Sequence, residues 1–347
     1  PRRAPRPPRS RARRLLRATV LLACLLVVTS VSTYIWADTR LRQDVDLGRI
    51  QDRVPPGEGT NYLIVGSDSR AGLSGQDRKD LHTGGSPGDG RRTDSMILLH
   101  TGAHGTTMVS LPRDSWVTIP SYVRPDTGSR QPAVQDRLNA AFSYGGPELL
   151  VRTVESNTGL RVDHYAEMGF AGFVDIVNAI GGVEMCVERD IRDEKSGLDM
   201  AKGCHNLGGR AALAFVRQRH QEAKGDLGRG RNQRKFLAAL AHKAATPGAA
   251  LNPSRVYSTA SAGLDALIVD ESTDMPALVS LLQAIRSVTA GDGREIGVPV
   301  ASLGFRTPRG SAVKWDAPRA EKLFAELRND QRVNLGSARR TQEHQAP

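Results

Sequence analysis

Apolar positions fall along this chain in three rhythms. The first is an unbroken block, Ala18–Ala37 (ATVLLACLLVVTSVSTYIWA), that holds no charged residue. About 20 apolar residues rising 1.5 Å each are enough to cross a bilayer. The block exceeds the roughly 7–15-residue apolar core of a cleaved signal peptide, so it predicts one uncleaved transmembrane helix. The second rhythm is a series of short apolar runs bounded by glycine and charge, which read as buried strands. These are Asn61–Val65, Met96–His100, Thr107–Leu111, Trp116–Ile119, Asp163–Met168 and Val183–Val187. The third rhythm is helical. Leu138–Tyr144 ends at Gly145-Gly146, Pro147 opens a second helix to Asn157 that Gly159 closes, and Phe170–Ile180 ends in Gly181-Gly182. Gly208–Arg219 and Asn232–Ala245 read as helices on either side of a charged loop. Past a Pro/Gly break at 247–253 the pattern weakens, with Leu264–Val269 and Ile296–Val300 as strands and Pro276–Val288 and Pro318–Leu327 as helices. Strands alternating with helices predict an α/β fold, a three-layer α/β/α domain on a central mixed sheet, preceded by the membrane helix.

Polar stretches divide the chain. Residues 1–17 form a basic tail and 18–37 the span; 38–58, ending in Pro55-Pro56-Gly57, read as a spacer. Residues 59–327 make one folded domain, its weak carboxyl part completing the same core, and 328–347 read as a frayed tail. Residues 71–91, rich in Gly, Asp and Arg, predict a long loop beside the end of the first strand, and Tyr122–Asp136 predicts another. No internal repeat is present.

The chain has 347 residues, 39% hydrophobic and 24% charged, enough to bury a core as one large or two ordinary domains. Its net charge of +11 is mostly a tail effect. Residues 1–17 contain eight arginines and no acid, leaving +3 for the rest. That balance gives little support to a nucleic-acid-binding face. The flanking arginines place the amino terminus in the cytoplasm, with Tyr34 and Trp36 as interfacial anchors on the far side and the folded domain outside the membrane. Of three cysteines, Cys24 lies in the span, and Cys186 and Cys204 lie in the exported part. An oxidising compartment makes a Cys186–Cys204 disulfide the first expectation. A zinc site using Cys186, Cys204 and His205 is the alternative, although the spacing matches no common zinc module.

Candidate chemistry sits at the ends of the apolar runs. A hairpin of Met96–His100 and Thr107–Leu111 brings its outer ends together, and those ends carry Arg92 and Asp94 before the first strand and Arg113 and Asp114 after the second. Standing alone these would be solvated loop charges. The pairing recurs, in Asp68-Ser69-Arg70, in Arg217-Gln218-Arg219 at the end of an apolar helical face, and from Asp226 to Arg229. Guanidinium forks suit phosphate oxygens and carboxylates suit a hard divalent cation, so the inventory points to phosphoryl transfer, which needs positioning and charge more than covalent chemistry. Other classes lack their signatures: there is no GxxxxGK[ST], no GxGxxG, no HExxH and no GxSxG elbow, since the GGSPG string at 84–88 falls inside the 71–91 loop and not on a strand-to-helix turn.

At IVGSDSR, RRTDSM, SLPRDSWV, LNAAFSYGGP, the GGV before Cys186, and AFVRQRH followed by DLGR, the chain resembles the LytR-CpsA-Psr family of membrane-anchored cell-wall enzymes. The resemblance covers about 61–245, with a looser match to about 327. It implies an α/β/α fold with an apolar groove for a polyprenyl chain. It also implies transfer of a glycan from a polyprenyl-pyrophosphate carrier onto peptidoglycan with Mg²⁺ or Mn²⁺. Carried over residue by residue, Asp68 and Asp94 hold the cation, and Arg92, Arg113, Arg217 and Arg219 grip the pyrophosphate. Asp226, Arg229 and Gln233 complete the cluster, with Asp226 or Asp114 as general base. The family often has an arginine just before that glutamine; here the position is Asn232. A non-catalytic, membrane-tethered binder of anionic glycans or lipid phosphates is the competing reading, and it leaves Asp68 and Asp94 without a task. Pyrophosphate hydrolysis would be a side reaction of the same site. Transcriptional regulation conflicts with a folded domain outside the membrane.

Overall fold

A computed structural model describes residues 11–69, 73–81, 93–194, 196–218, 236, 239–240, 243 and 253–334. Its helices are α1 (Arg11–Asp38), α2 (Gly75–Asp80), α3 (Leu138–Thr158), α4 (Phe170–Ala179), α5 (Gly209–Arg217), α6 (Pro253–Ala266), α7 (Met275–Ala290) and α8 (Ala317–Arg328). The central strands are β1 (Arg42–Val45), β2 (Thr60–Ser67), β3 (Thr93–Gly102), β4 (Gly105–Leu111), β5 (His164–Met168), β6 (Leu267–Asp270) and β7 (Arg294–Gly297).

These seven strands pair in the order β1-β6-β5-β2-β3-β4-β7. β2–β3, β3–β4 and β5–β6 are antiparallel, whereas β1–β6, β2–β5 and β4–β7 are parallel, so the sheet is mixed as expected. Alternation along each strand sends successive side chains to opposite faces. Leu63, Val65, Met96, Leu98, Val109 and Leu111 face a core closed by α3 and α8. Tyr62, Leu99 and Ala166 face the other way, onto α6, α7 and the end of α1. Leu63 and Leu98 have no exposed surface, and burying each contributes roughly 1.5–3 kcal/mol. The result is the three-layer α/β/α arrangement. α3 carries the break its sequence announced: Gly145 and Gly146 leave helical geometry, Gly146 at φ 71°, and Pro147 starts the second segment.

Several boundaries differ from expectation. The segment read as a spacer contains β1, which pairs with β6 at the sheet edge, and Val45 and Leu47 are buried. An edge strand hydrogen-bonds on one side only, and Arg42-Gln43-Asp44 stay exposed, so polar composition hid it. The start of the expected tail is also packed: Val333 lies in the core, and Asp330 accepts from the Ala103 amide at 2.7 Å. Val183–Val187 is a strand with the expected bounds, but it stands outside the central sheet and pairs with Gly203–Leu207 in a separate hairpin against α4 and α5. The expected strand Ile296–Val300 divides at Pro299, which has no amide hydrogen to donate. Arg294–Gly297 joins the sheet, and Val300–Thr307 pairs with Gly310–Trp315 outside it. Tyr122–Asp136 is not all loop, because Tyr122–Val123 pairs with Arg130–Gln131.

Asp270 at the end of β6 is fully buried. Burial alone would raise its carboxyl, but His164, the Ser272 and Thr273 hydroxyls and the Tyr165 amide outweigh it and hold it down at about 2. A carboxyl depressed on folding adds stability that is complete above its unfolded value near 4 and is lost as pH falls towards 2. Asp270→Asn should therefore cost about 2 kcal/mol at neutral pH. The deficit should shrink between about pH 4 and pH 2, which denaturant unfolding at several pH values would measure.

Candidate functional site

The hairpin of β3 and β4 pairs Met96 with Leu111, so its open end presents residues 93–95 beside 112–114. There the Arg113 guanidinium donates from Nη1 to Asp94 Oδ1 at 2.6 Å and from Nε to Asp114 Oδ2 at 3.4 Å. Arg137 Nε lies 3.8 Å from the other Asp114 oxygen. The Arg113 side chain is 20% exposed and that of Asp94 31%, half-sunk groups that a ligand can still reach.

Asp94 owes its place to a bulge. Gly66 of β2 pairs with Ser95, but Ser67 pairs with Thr93, leaving Asp94 as the extra residue on β3. Bulges of this kind re-aim a side chain at the end of a ladder. Asp68 follows directly on the neighbouring strand. β5 runs parallel to β2 and pairs Met168 with Gly66, so its carboxyl end opens on the same edge. From there α4 begins, its Phe170 amide donating to the Ser69 carbonyl at 3.4 Å.

Arg217 reaches this edge from α5. Its guanidinium carbon lies 5.0 Å from the Phe170 ring centroid, a cation–π contact, and Nη1 donates to the Leu81 carbonyl at 2.9 Å. α5 is set by close backbone packing on α4: a Cβ on Gly209 would stand 2.4 Å from the Val174 carbonyl oxygen, and the Gly209 amide donates to Asn178 Oδ1 at 2.8 Å. No rotamer relieves a clash with backbone. Gly209→Val should push α5 off α4, cost about 1–3 kcal/mol by overpacking and displace Arg217, which thermal unfolding and carrier-binding measurements together would register.

Asp68, Asp94, Arg113 and Arg217 thus gather at one edge. Arg92, Arg219, Asp226, Arg229 and Gln233 lie outside the described residues. One extension was not singled out in the sequence. Asp136, buried at the strand–helix junction, accepts from Tyr144 Oη at 2.6 Å and pairs with Arg309 Nε at 3.1 Å. Burial and that hydrogen bond push the Tyr144 hydroxyl up to about 12. With Arg137, Asp136 repeats the acid–arginine pattern at the end of an apolar element, which was the signal available.

A cleft of about 700 Å³ opens beside Leu81 between α2, α4 and α5. Leu73, Ala171, Val174 and Ala214 line part of it, and Asp77, Asp175 and Arg210 the rest, so its wall is mixed. Burial, and then the charge of Asp77, push the Asp175 carboxyl up.

The donors present suit Mg²⁺ or Mn²⁺. Among the described residues no group of three or more His, Cys, Asp or Glu forms a metal cage. Mg²⁺ usually takes one or two carboxylates and completes its shell with water and substrate phosphates, and Asp68 and Asp94 on adjacent strand ends offer that pair. The Cys186–Cys204 disulfide is formed, directly across its hairpin. This removes the zinc alternative, and His205 Nε2 instead bonds the Ala201 carbonyl at 2.8 Å.

Comparison with known proteins shows the family and the fold. The model of the LytR_cpsA_psr family matches residues 37–296. The probable cell wall biosynthesis protein LcpB of Corynebacterium glutamicum is 41% identical over 89% of this chain and 70% of its own length. The polyisoprenyl-teichoic acid–peptidoglycan teichoic acid transferase TagU of Bacillus anthracis is 31% identical over 59% of each chain, so this chain spans about three fifths of that relative. Among solved structures, a LytR-Csp2A-Psr enzyme from Actinomyces oris superposes with a TM-score of 0.58 at 23% identity, over 83% of this chain and 96% of that one. At that identity the likeness shows the fold.

Proposed function

We propose, from the fact that the chain belongs to the LytR-CpsA-Psr family, that it is a membrane-anchored phosphotransferase. It moves a glycopolymer from a polyprenyl-pyrophosphate carrier onto peptidoglycan. The observation that carries this reading is the meeting of Arg113 with Asp94 at the open end of the hairpin, beside Asp68 on the next strand. The name of TagU supplies the substrate classes: a polyisoprenyl-linked polymer as donor and peptidoglycan as acceptor. Leu15–Asp38 is long and apolar enough to cross a membrane. The arginines before it favour a cytoplasmic amino terminus and an extracellular domain.

In the reaction a wall sugar hydroxyl attacks the glycan-side phosphorus of the pyrophosphate. A new P–O bond forms, the bond to the bridging oxygen breaks, and polyprenyl phosphate leaves with the charge. Arg113 and Arg217, with Arg92, Arg219 and Arg229 from the sequence motifs, bind the phosphate oxygens and stabilise the charge that builds on the leaving group. Asp68 and Asp94 would hold a divalent cation, which when bound neutralises pyrophosphate oxygens and draws electron density from phosphorus. The hydroxyl proton passes to a carboxylate. Asp114, between Arg113 and Arg137, is the described candidate beside Asp226. Gln233 would orient the carrier.

The test uses the full chain in lipid nanodiscs with a polyprenyl-pyrophosphate glycan and peptidoglycan fragments, following release of polyprenyl phosphate. Magnesium-dependent release, lost in Asp94→Ala and Arg217→Ala while both variants remain folded, is the expected result. Release without acceptor would report the hydrolytic side reaction. Tight carrier binding with no turnover, indifferent to chelator, would instead establish a tethered binder.

A further inference from the structure

The membrane helix does not simply trail into the domain. Ala37 and Leu41, at and just past its end, are buried against Leu264 of α6 and Leu278 and Leu281 of α7. Trp36 stacks on Tyr257 of α6 with ring centroids 4.9 Å apart. Arg40 lies 5.6 Å from the Trp36 ring centroid and donates from Nη1 to Ser261 Oγ at 2.9 Å and to Asp265 Oδ2 at 2.8 Å. The exit of the span is therefore fixed to two helices of the folded domain.

Depth follows from length. Leu15–Asp38 has 24 residues, about 36 Å of helix at 1.5 Å per residue, against a hydrocarbon core of about 30 Å. The last turn lies at headgroup level, where tryptophan and tyrosine are favoured. Tyr257, in van der Waals contact with Trp36, shares that level. Among the described residues outside the span, six large apolar side chains are exposed, and four of them lie on α6 and α7: Val256 (46%), Tyr257 (55%), Val279 (46%) and Leu282 (58%). Val279 and Leu282 are three apart on one helical face, and exposed Arg286 continues that face one turn on. An apolar stripe edged by arginine is the pattern of a helix lying in a headgroup region.

We propose that α6 and α7 form a docking face that lies on the bilayer around the emerging span, with Val256, Tyr257, Val279 and Leu282 in the acyl–headgroup boundary and Arg286 at lipid phosphate. This rests on the reading of α1 as a membrane anchor. The face turns a single flexible tether into an oriented platform, so the catalytic edge meets a membrane-bound carrier in one attitude.

Spin-label accessibility on the full chain in phosphatidylglycerol–phosphatidylcholine nanodiscs tests it. In a Cys24→Ser background, single labels are placed by Val27→Cys, Val279→Cys, Leu282→Cys and Leu303→Cys. Leu303, 55% exposed on the outlying hairpin, is the aqueous reference. Labels at 279 and 282 should collide with oxygen readily and with a water-soluble nickel chelate several-fold less than the label at 303. Collision with nickel equal to that at 303, while 27 remains shielded, would overturn the docking face and leave the anchor standing. Labels at 279 and 282 shielded from both reagents would mean that protein, most simply a second copy, covers the face, and would also overturn the proposal. A label at 27 open to nickel would remove the anchor, and the docking face with it.

Discussion

Arg113→Lys should lower the transfer rate about 10²–10³-fold, the loss typical when one preorganised donor to developing charge is removed. The reason is geometric. One guanidinium contacts Asp94 from Nη1 and Asp114 from Nε, and its rigid planar fork fixes both carboxylates in direction beside the phosphate it would bind. An ammonium keeps the charge but cannot hold two carboxylates in fixed directions. Affinity for the anionic carrier should therefore fall much less than turnover, so kcat drops while KM moves little. Folding should be almost unchanged, because a pair this accessible contributes on the order of 1 kcal/mol or less. Steady-state kinetics beside thermal unfolding would check this. Parental kcat in a folded Arg113→Lys protein would remove Arg113 from the machinery.

The hairpin end could be read from sequence because its logic is local. Two short apolar runs joined by a glycine turn pair antiparallel, and the charges flanking them must meet. The same holds for the broken helix at Gly145-Gly146-Pro147 and for the Cys186–Cys204 pair, which the expectation of an oxidising compartment suggested. What stayed hidden depends on pairing between distant segments. β1 joins the sheet with three exposed polar side chains, so only its neighbour β6, more than 220 residues later, reveals it. The bulge that frees Asp94 comes from a register change against Ser67, and nothing in RRTDSM announces it. Arg217 could be suspected from its position after an apolar helical face, but its contacts with Phe170 and Leu81 required the fold. The docking face was invisible for a related reason. Val279 and Leu282 sit in a helix whose Leu278, Leu281 and Ala284 are core, and sequence alone does not separate a buried leucine from an exposed one.

Chelation should abolish transfer, and Asp68→Asn and Asp94→Asn should each raise the Mg²⁺ concentration needed to restore it. Each asparagine keeps an oxygen ligand but loses the negative charge that draws a hard cation. Asp94 is the harder case, since its removal also deprives Arg113 of a partner and could slow transfer through the arginine alone. Arg113→Lys separates the two effects. A cation held by the carboxylates predicts that Arg113→Lys lowers kcat at an unchanged Mg²⁺ requirement, whereas Asp94→Asn shifts the requirement itself. Manganese binding, followed by electron paramagnetic resonance with polyprenyl pyrophosphate present, gives a readout that does not depend on turnover. The parent and Arg113→Lys should bind the ion, and the two asparagine variants should bind it more weakly. If Asp68 and Asp94 act as one site, the double variant should be little worse than either single one, the non-additivity expected of groups that work as a unit. Full additivity would place the two aspartates in separate tasks, and transfer that survives chelator would leave both without a cation to hold.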